Sequence, residues 1–330
     1  MVTSHQVAKL AGVSQPTVSR ALRDSPKVSA QTKLKVRAAA EALGYVPSDA
    51  GRALASGRTH RIGLLVTDLA NQFYQYLIAP MHDELDSLGY QLVLVTESVD
   101  QVVDRLPASG LDAVILATTT VDSVLPVRLR DRGMPFVYFN RTSDLVPADA
   151  VVVRSDQGIG EAVHQIIALG HERVGAIFGP ENTSTGRRRG EGLRAALAAA
   201  GVPFDPGLGF KGQFAFETGV EAVRVLLAGR TRPTVLVCAN DVMAFGALNA
   251  ARERGIQVPA ELSVVGFDDL PVAGWPLVRL TTVAYDLNAM ARAAVGLMVD
   301  RLAQGPGAPY RQTDFGSRLV LRDTLGPAPR

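Results

Sequence analysis

Cysteine is almost absent from this sequence: Cys238 stands alone in 330 residues. No disulfide can form within the chain, and a reducing cytoplasm is the expected setting. Histidine is scarce and scattered over His5, His60, His82, His164 and His171, and no HExxH pair offers a catalytic zinc site. A GxSxG nucleophile turn and a phosphate-cradling Walker A loop are missing too. Cys238 lies inside the apolar run TVLVCAN, poor surroundings for a nucleophile. These gaps leave no catalytic residue, metal site or cofactor to name, and an enzyme is not expected. No apolar run approaches 18 residues, and the chain does not open with a basic stretch followed by an apolar one. Neither a membrane span nor export is therefore expected.

Charge is present but unevenly spread. Residues 1–60 carry nine Lys and Arg against three acids, and the remaining 270 carry 25 against 29, so a net +2 hides a head of +6 on a body of −4. Such asymmetry suggests a polyanion as the head's partner, the bland alternative being a solvated basic face. Three short helices fit residues 4–43. Ser4, Ser14 and Ser29 are placed to cap them and Gly12 and Gly44 to end them, while Val7, Leu10, Val18, Leu22, Leu34 and Leu43 recur at helical spacing to close a miniature core. Two helices joined through a glycine turn make a helix-turn-helix, whose second helix sets its first side chains against base edges in the major groove. Here that helix reads QPTVSRAL, with Val18 and Leu22 facing in and Gln15, Pro16, Ser19 and Arg20 facing out. Gln15 can pair with adenine and Arg20 with guanine, and Pro16 can meet a thymine methyl. An ordinary helical hairpin fits the apolar positions equally well; the charge of the head favours DNA.

From Arg61 the pattern changes. Strand-length apolar runs (61–66, 90–95, 113–117, 135–140, then 150–156, 173–179, 234–240, 262–269) alternate with helical stretches, which predicts two α/β units in tandem with a cleft between them. Open α/β sheets bind ligands at the carboxyl ends of their strands. Asn140, Asn240, Asp241, Asp268 and Asp269 all fall at such ends. Amide and carboxylate groups there suit a ligand whose hydroxyls both donate and accept. Two carboxylates in a cleft could also form an acid/base pair, and Asn240 could equally serve as a helix cap.

The run QVAKLAGVSQPTVSRAL, with VSAQTKLKVRAAAEALGYVPSDAGRALASGRTHRIGLLV, ALGHERVGAIFGP, VCANDVMAFGAL and LSVVGFDD, resembles the lac repressor family of bacterial transcription regulators over nearly the whole chain. The resemblance implies an all-α helix-turn-helix DNA-binding head (1–47), a hinge helix and linker (48–60) and a two-lobed, periplasmic-binding-protein-like α/β body for effector binding and dimerisation (61–330). It implies a homodimer on pseudo-palindromic double-stranded operator DNA, controlled by a small-molecule effector, a carbohydrate by preference, with a nucleobase or other metabolite as the alternative. The DNA-binding set is then Ser14, Gln15, Pro16, Thr17, Ser19 and Arg20, with Lys27, Ser29, Thr32 and Tyr45 in the rest of the head. In the hinge, Leu54 matches the family's minor-groove wedge, with Arg52 and Ala55 beside it. Such a wedge kinks the duplex by unstacking a base step. The effector set is Phe73, Tyr74, Asn140, Arg189, Phe214, Asn240 and Asp268. Leu287 stands where some members have an effector-packing aromatic, and Trp275 is placed either to line the cleft or to anchor a loop. A leucine heptad after LVLRDTLGPAPR is lacking, so a dimer is expected rather than a tetramer. Rival readings are an exported solute-binding protein, which should have a signal peptide and no helix-turn-helix, and an architectural DNA binder, which needs no elaborate cleft.

Overall fold

The computed structural model describes residues 2–22, 24–45, 58–66, 69, 71–96, 110–305 and 307–329. The chain forms two compact units, Met1–Thr59 and His60–Arg330.

The first unit holds α1 (Ser4–Ala11), α2 (Gln15–Leu22) and α3 (Ala30–Ala42). The cap of α1 is Thr3 and not Ser4. The T-x-x-Q spacing forms a capping box, in which Gln6 Oε1 accepts the Thr3 amide at 2.8 Å. Gly12, at φ 66°, ends α1 in the left-handed conformation that glycine adopts without strain. Ser29 caps α3 as its side chain accepts the Thr32 amide at 3.2 Å. Val7, Val18 and Val36 are fully buried and closed in by Ala8, Ala21, Ala39 and Ala40. Burial of each valine contributes roughly 1.5–3 kcal/mol. Leu10 and Leu34, expected in this core, are 56% and 67% exposed. The inward stripes run through Val7, Ala8 and Ala11 and through Val36, Ala39 and Ala40. Small residues let the short helices approach closely, and both leucines fall beside the seam. The hinge residues Arg52, Leu54 and Ala55 lie outside the described residues.

The second unit contains two six-stranded sheets. One joins β1 (Arg61–Leu65), β2 (Gln91–Val95), β3 (Ala113–Leu116), β4 (Phe136–Phe139), β5 (Asp149–Arg154) and β11 (Gln312–Gly316) in the order β2-β1-β3-β4-β5-β11, parallel throughout. The other joins β6 (Val174–Phe178), β7 (Gly209–Lys211), β8 (Val235–Cys238), β9 (Ser263–Asp268), β10 (Thr281–Ala284) and β12 (Arg318–Val320) in the order β7-β6-β8-β9-β10-β12, with only β12 antiparallel. The two orders are the same pattern repeated. Each sheet is covered by helices: α4 (Gln72–Ser87), α5 (Leu125–Asp131), α6 (Asp156–Ala168), α7 (Ser184–Ala199), α8 (Phe216–Leu226), α9 (Asp241–Glu253) and α10 (Leu287–Gln304). β7, β10, β11 and β12 are absent from the sequence reading. β7 and β12 have three residues each, β10 is half threonine, and QTDFG of β11 is an alternately exposed edge.

The chain crosses between lobes after β5, after β10 and after β11. Consequently α6 packs on β10 and β12 of the second lobe, and α10 on β4 and β5 of the first. Ser317 ties two crossings together, donating to Arg154 O at 2.7 Å and accepting the Gly158 amide at 3.2 Å. His171 fastens the far end of the second lobe. Its buried ring bridges Thr234 Oγ1 and the Gly326 carbonyl, both at 2.9 Å, and burial lowers its pKa so that it stays neutral.

Candidate functional site

Two surfaces gather the residues singled out from the sequence. In the head, α2 exposes Pro16 and Arg20, which lie four apart on one face, and Ser14, Lys27 and Ser29 are exposed nearby in the chain. Gln15 is half-buried rather than outward: its side-chain amide donates to Ser4 Oγ at 3.3 Å. Ser14 and Thr17 hydroxyls lie 2.8 Å apart, and Ser29 and Thr32 hydroxyls 2.9 Å apart, so these four hydroxyls have local partners at the starts of α2 and α3. Ser19 is half-buried, and Tyr45 packs partly buried on the head core. Part of the basic surplus is locally balanced. Lys33 and Arg37 converge on Asp24 at 3.0 and 3.2 Å, and the Lys33 hydrogen bond holds the Asp24 carboxyl below the usual carboxylate range.

In the body, one cavity between the lobes is lined by all seven candidate effector residues, Phe73, Tyr74, Asn140, Arg189, Phe214, Asn240 and Asp268, together with Asn71, Ala117, Arg141 and Thr185. The architecture explains the convergence. Asp268 ends β9, Asn140 and Asn240 follow β4 and β8, and Phe214 follows β7, while Phe73, Tyr74, Thr185 and Arg189 lie in the first two turns of the helices that follow β1 and β6. Asn140 and Asp268 adopt φ of 61° and 121°, conformations that cost about 1–3 kcal/mol each and cluster at functional sites.

The centre of the site is an ion pair. Arg189 donates to Asp268 Oδ1 at 2.8 Å and to Ala239 O at 2.6 Å, with its guanidinium 3.7 Å over the Phe267 ring. The Tyr285 hydroxyl donates to the same Asp268 oxygen at 3.0 Å. Burial raises the Asp268 pKa, and the arginine opposes that rise. Asp241, fully buried behind the cavity, accepts from the Leu270 amide and the Thr282 hydroxyl, and burial pushes its carboxyl up to about 7. Asp269 turns away to Arg322 at 2.6 Å. Asp268 and Asp269 both have positive φ.

Direct bonds clasp the lobes. Asn71 Nδ2 donates to Phe214 O at 2.7 Å, the Val121 amide to Asn182 O at 2.8 Å, the Thr142 amide to Ser184 Oγ at 3.0 Å, and Arg187 pairs with Asp144 at 3.1 Å. The cavity has about 20 Å³, room for one water, so a sugar-sized ligand requires the lobes to part. A larger hollow of about 880 Å³ lies beside α9, among Phe245, Leu248, Arg252 and Val278. It contains none of the buried charged groups, and the chemistry places the candidate site in the smaller cavity.

Sequence reasoning missed Asn71, Arg141 and Thr185. Asn71 was legible as the cap before QFY: its Oδ1 accepts the Phe73 amide. Arg141 adjoins Asn140, and Thr185 lies on the first turn of α7; neither carries a signal of its own. Asn240 both caps α9, its Oδ1 accepting the Met243 amide at 2.9 Å, and lines the cavity. Trp275 is 55% exposed and does not line the cavity, nor does Leu287. Arg187 and Arg188 are exposed. Burial pushes the Cys238 thiol up, which keeps it inert.

The pattern of the bacterial regulatory proteins of the lacI family matches residues 3–48, and that of a periplasmic binding protein-like domain matches residues 163–325. The HTH-type transcriptional regulator DegA of Bacillus subtilis is 34% identical over 98% of both chains. The chain belongs to the LacI family. As a LacI-family protein it is a DNA-binding transcriptional regulator. Among solved structures, the transcriptional regulator CelR–cellobiose complex aligns with a TM-score of 0.74 and 31% identity over 98% of this chain and 100% of that one. The lac repressor dimer bound to operator and the anti-inducer ONPF aligns with a TM-score of 0.86 and 28% identity over 98% and 99%. Among the described residues of this regulator, no helix is long and apolar enough to cross a membrane.

Proposed function

We propose that this LacI-family regulator is a cytoplasmic homodimeric repressor whose head (1–47) reads a pseudo-palindromic operator, whose hinge (48–60) enters the minor groove through Leu54, and whose body (61–330) binds a sugar or sugar derivative between its lobes. The observation that carries this reading is the interlobe cavity that gathers Phe73, Tyr74, Asn140, Arg189, Phe214, Asn240 and Asp268. Aromatic faces from both lobes can stack on the C–H surface of a ring while buried amide and carboxylate groups meet its hydroxyls. Solved relatives support both halves: one is a complex with cellobiose, another a dimer on its operator. The switch is a linkage. A ligand that binds one lobe arrangement better than the other shifts the population of the DNA-competent form, by a coupling of about 1–3 kcal/mol.

The DNA side is tested at Arg20, which is exposed on α2. Arg20→Ala is expected to weaken binding to the preferred operator by about 1–3 kcal/mol and to relax discrimination at one base pair of each half-site. Competition binding at fixed salt reads this directly. Equal weakening on every sequence would reduce Arg20 to a phosphate contact.

A further inference from the structure

We propose that the effector is a polyhydroxylated acid whose single carboxylate is received by Arg141 and Thr185. This rests on the reading of the cleft as the effector site and follows from the balance of charge within it. Three charged side chains line the cavity: Arg141, Arg189 and Asp268. Arg189 and Asp268 neutralise one another at 2.8 Å. Asp241 stays behind the wall with its oxygens taken by Leu270 and Thr282. Arg141 is left over. Its guanidinium lies 5.0 Å from the centre of the Phe214 ring, and no acid among the described residues forms an ion pair with it. Its charge also acts on Asp268 from a distance, but that carboxylate is already bound by Arg189 and Tyr285.

The backbone adds to the excess. Three helices begin at the cavity: α4 after its cap Asn71, α7 with Thr185 in its first turn, and α9 after its cap Asn240. Each N-terminal end carries about half a positive charge. Two polar atoms on the cavity wall, Thr185 Oγ1 and Asn140 Oδ1, are buried without a partner in residues only 7% exposed. A ligand can supply both partners, a hydroxyl donating to Asn140 Oδ1 and an acceptor for the Thr185 hydroxyl. The hydrogen bond from the Thr142 amide to Ser184 Oγ holds the neighbouring residues Arg141 and Thr185 close together across the lobe boundary. A carboxylate there takes a charged donor from the first lobe and a hydroxyl donor from the second, so it bridges the two lobes once they have parted to admit it. A neutral sugar leaves the guanidinium enclosed without a counter-ion.

The test titrates full-length wild type, Arg141→Gln, Arg141→Lys and Arg189→Ala with D-galacturonate, D-glucuronate and D-gluconate, with the neutral parents D-galactose and D-glucose, and with glucose 6-phosphate, by calorimetry and thermal shift. Glycolate, the smallest hydroxy acid, is included at millimolar concentration as a fragment. The expected result is an acid that binds wild type about 10- to 100-fold more tightly than its neutral parent, the range of one charge-assisted hydrogen-bonding group. Arg141→Gln should erase that ratio, and Arg141→Lys should keep part of it. A neutral sugar that binds as well as its acid, with no loss in Arg141→Gln, overturns the proposal. So does an equal response of wild type and Arg141→Gln to every acid and to glycolate. Preference for the phosphate overturns the carboxylate. Undiminished binding in Arg189→Ala is a different failure: it means that the cleft itself is not the effector site.

Discussion

Asp268→Ala is expected to lower unfolding stability by about 3–5 kcal/mol and to abolish the effector response, because it strands a buried guanidinium. Arg189 is only 7% exposed. Without Asp268 it keeps the Ala239 carbonyl at 2.6 Å and the Phe267 face but no counter-charge. Arg189→Ala strands the other partner, although Asp268 can escape part of that cost by taking up a proton, towards which burial already biases it. The double variant Arg189→Ala/Asp268→Ala should therefore lose less than the two single losses together. Urea unfolding of the three variants measures the coupling. Strictly additive losses, or a loss below about 1 kcal/mol in Asp268→Ala, would mean that the pair behaves as a screened surface contact.

The second large effect is expected from backbone packing rather than from charge. Gly219 of α8 and Gly246 of α9 let the two helices touch backbone to backbone: a Cβ on Gly219 would stand 1.9 Å from Met243 O, and one on Gly246 2.0 Å from Phe216 O. Neither neighbour is a side chain that can swing aside. Gly219→Ala should cost about 3 kcal/mol by forcing the helices apart. Because α9 carries Asn240 into the cleft at its first turn, the same change should also weaken effector binding. Gly296→Ala, in α10, is the matched control. Nothing lies within 4 Å of its added Cβ, and a helix-interior glycine replaced by alanine gains about 0.5–1 kcal/mol. Thermal unfolding of the two variants should move in opposite directions; a Gly219→Ala protein as stable as wild type would show that the helices separate freely.

How much of this was legible depended on whether a feature is local. Gly12, Ser29, Asn71 and Asn240 mark helix ends because capping needs one side chain and a backbone amide two or three residues away. Seven of the eight strands read from the sequence are buried on both faces and appear as continuous apolar runs, and the half-exposed edge strand β2 is as apolar in sequence, whereas β11 and β12 show nothing in sequence that separates them from loop. Asn140, Asn240 and Asp268 could be listed because they stand at strand ends, and Phe73, Tyr74, Arg189 and Phe214 only because they match positions of the family, but the grouping of all seven into an ion pair, an aromatic wall and an unpartnered Asn140 oxygen depends on how two lobes meet. Residues 189 and 268 are bonded across 79 positions, and no spacing rule reaches that far. In the head, spacing located Val7 and Val18 yet misplaced Leu10 and Leu34, since a seam of alanines in so small a core outweighs the size of a leucine.

The central claim is that occupancy of the cleft changes DNA binding by the head. Operator titration of the full-length protein, in the presence and absence of the ligand that binds most tightly among the sugars and sugar acids above, tests it most directly. The account predicts a shift of about 5- to 150-fold in operator affinity for wild type and none for an Arg189→Ala protein shown to be folded. An unchanged operator affinity at saturating, calorimetrically verified occupancy of the cleft would contradict it.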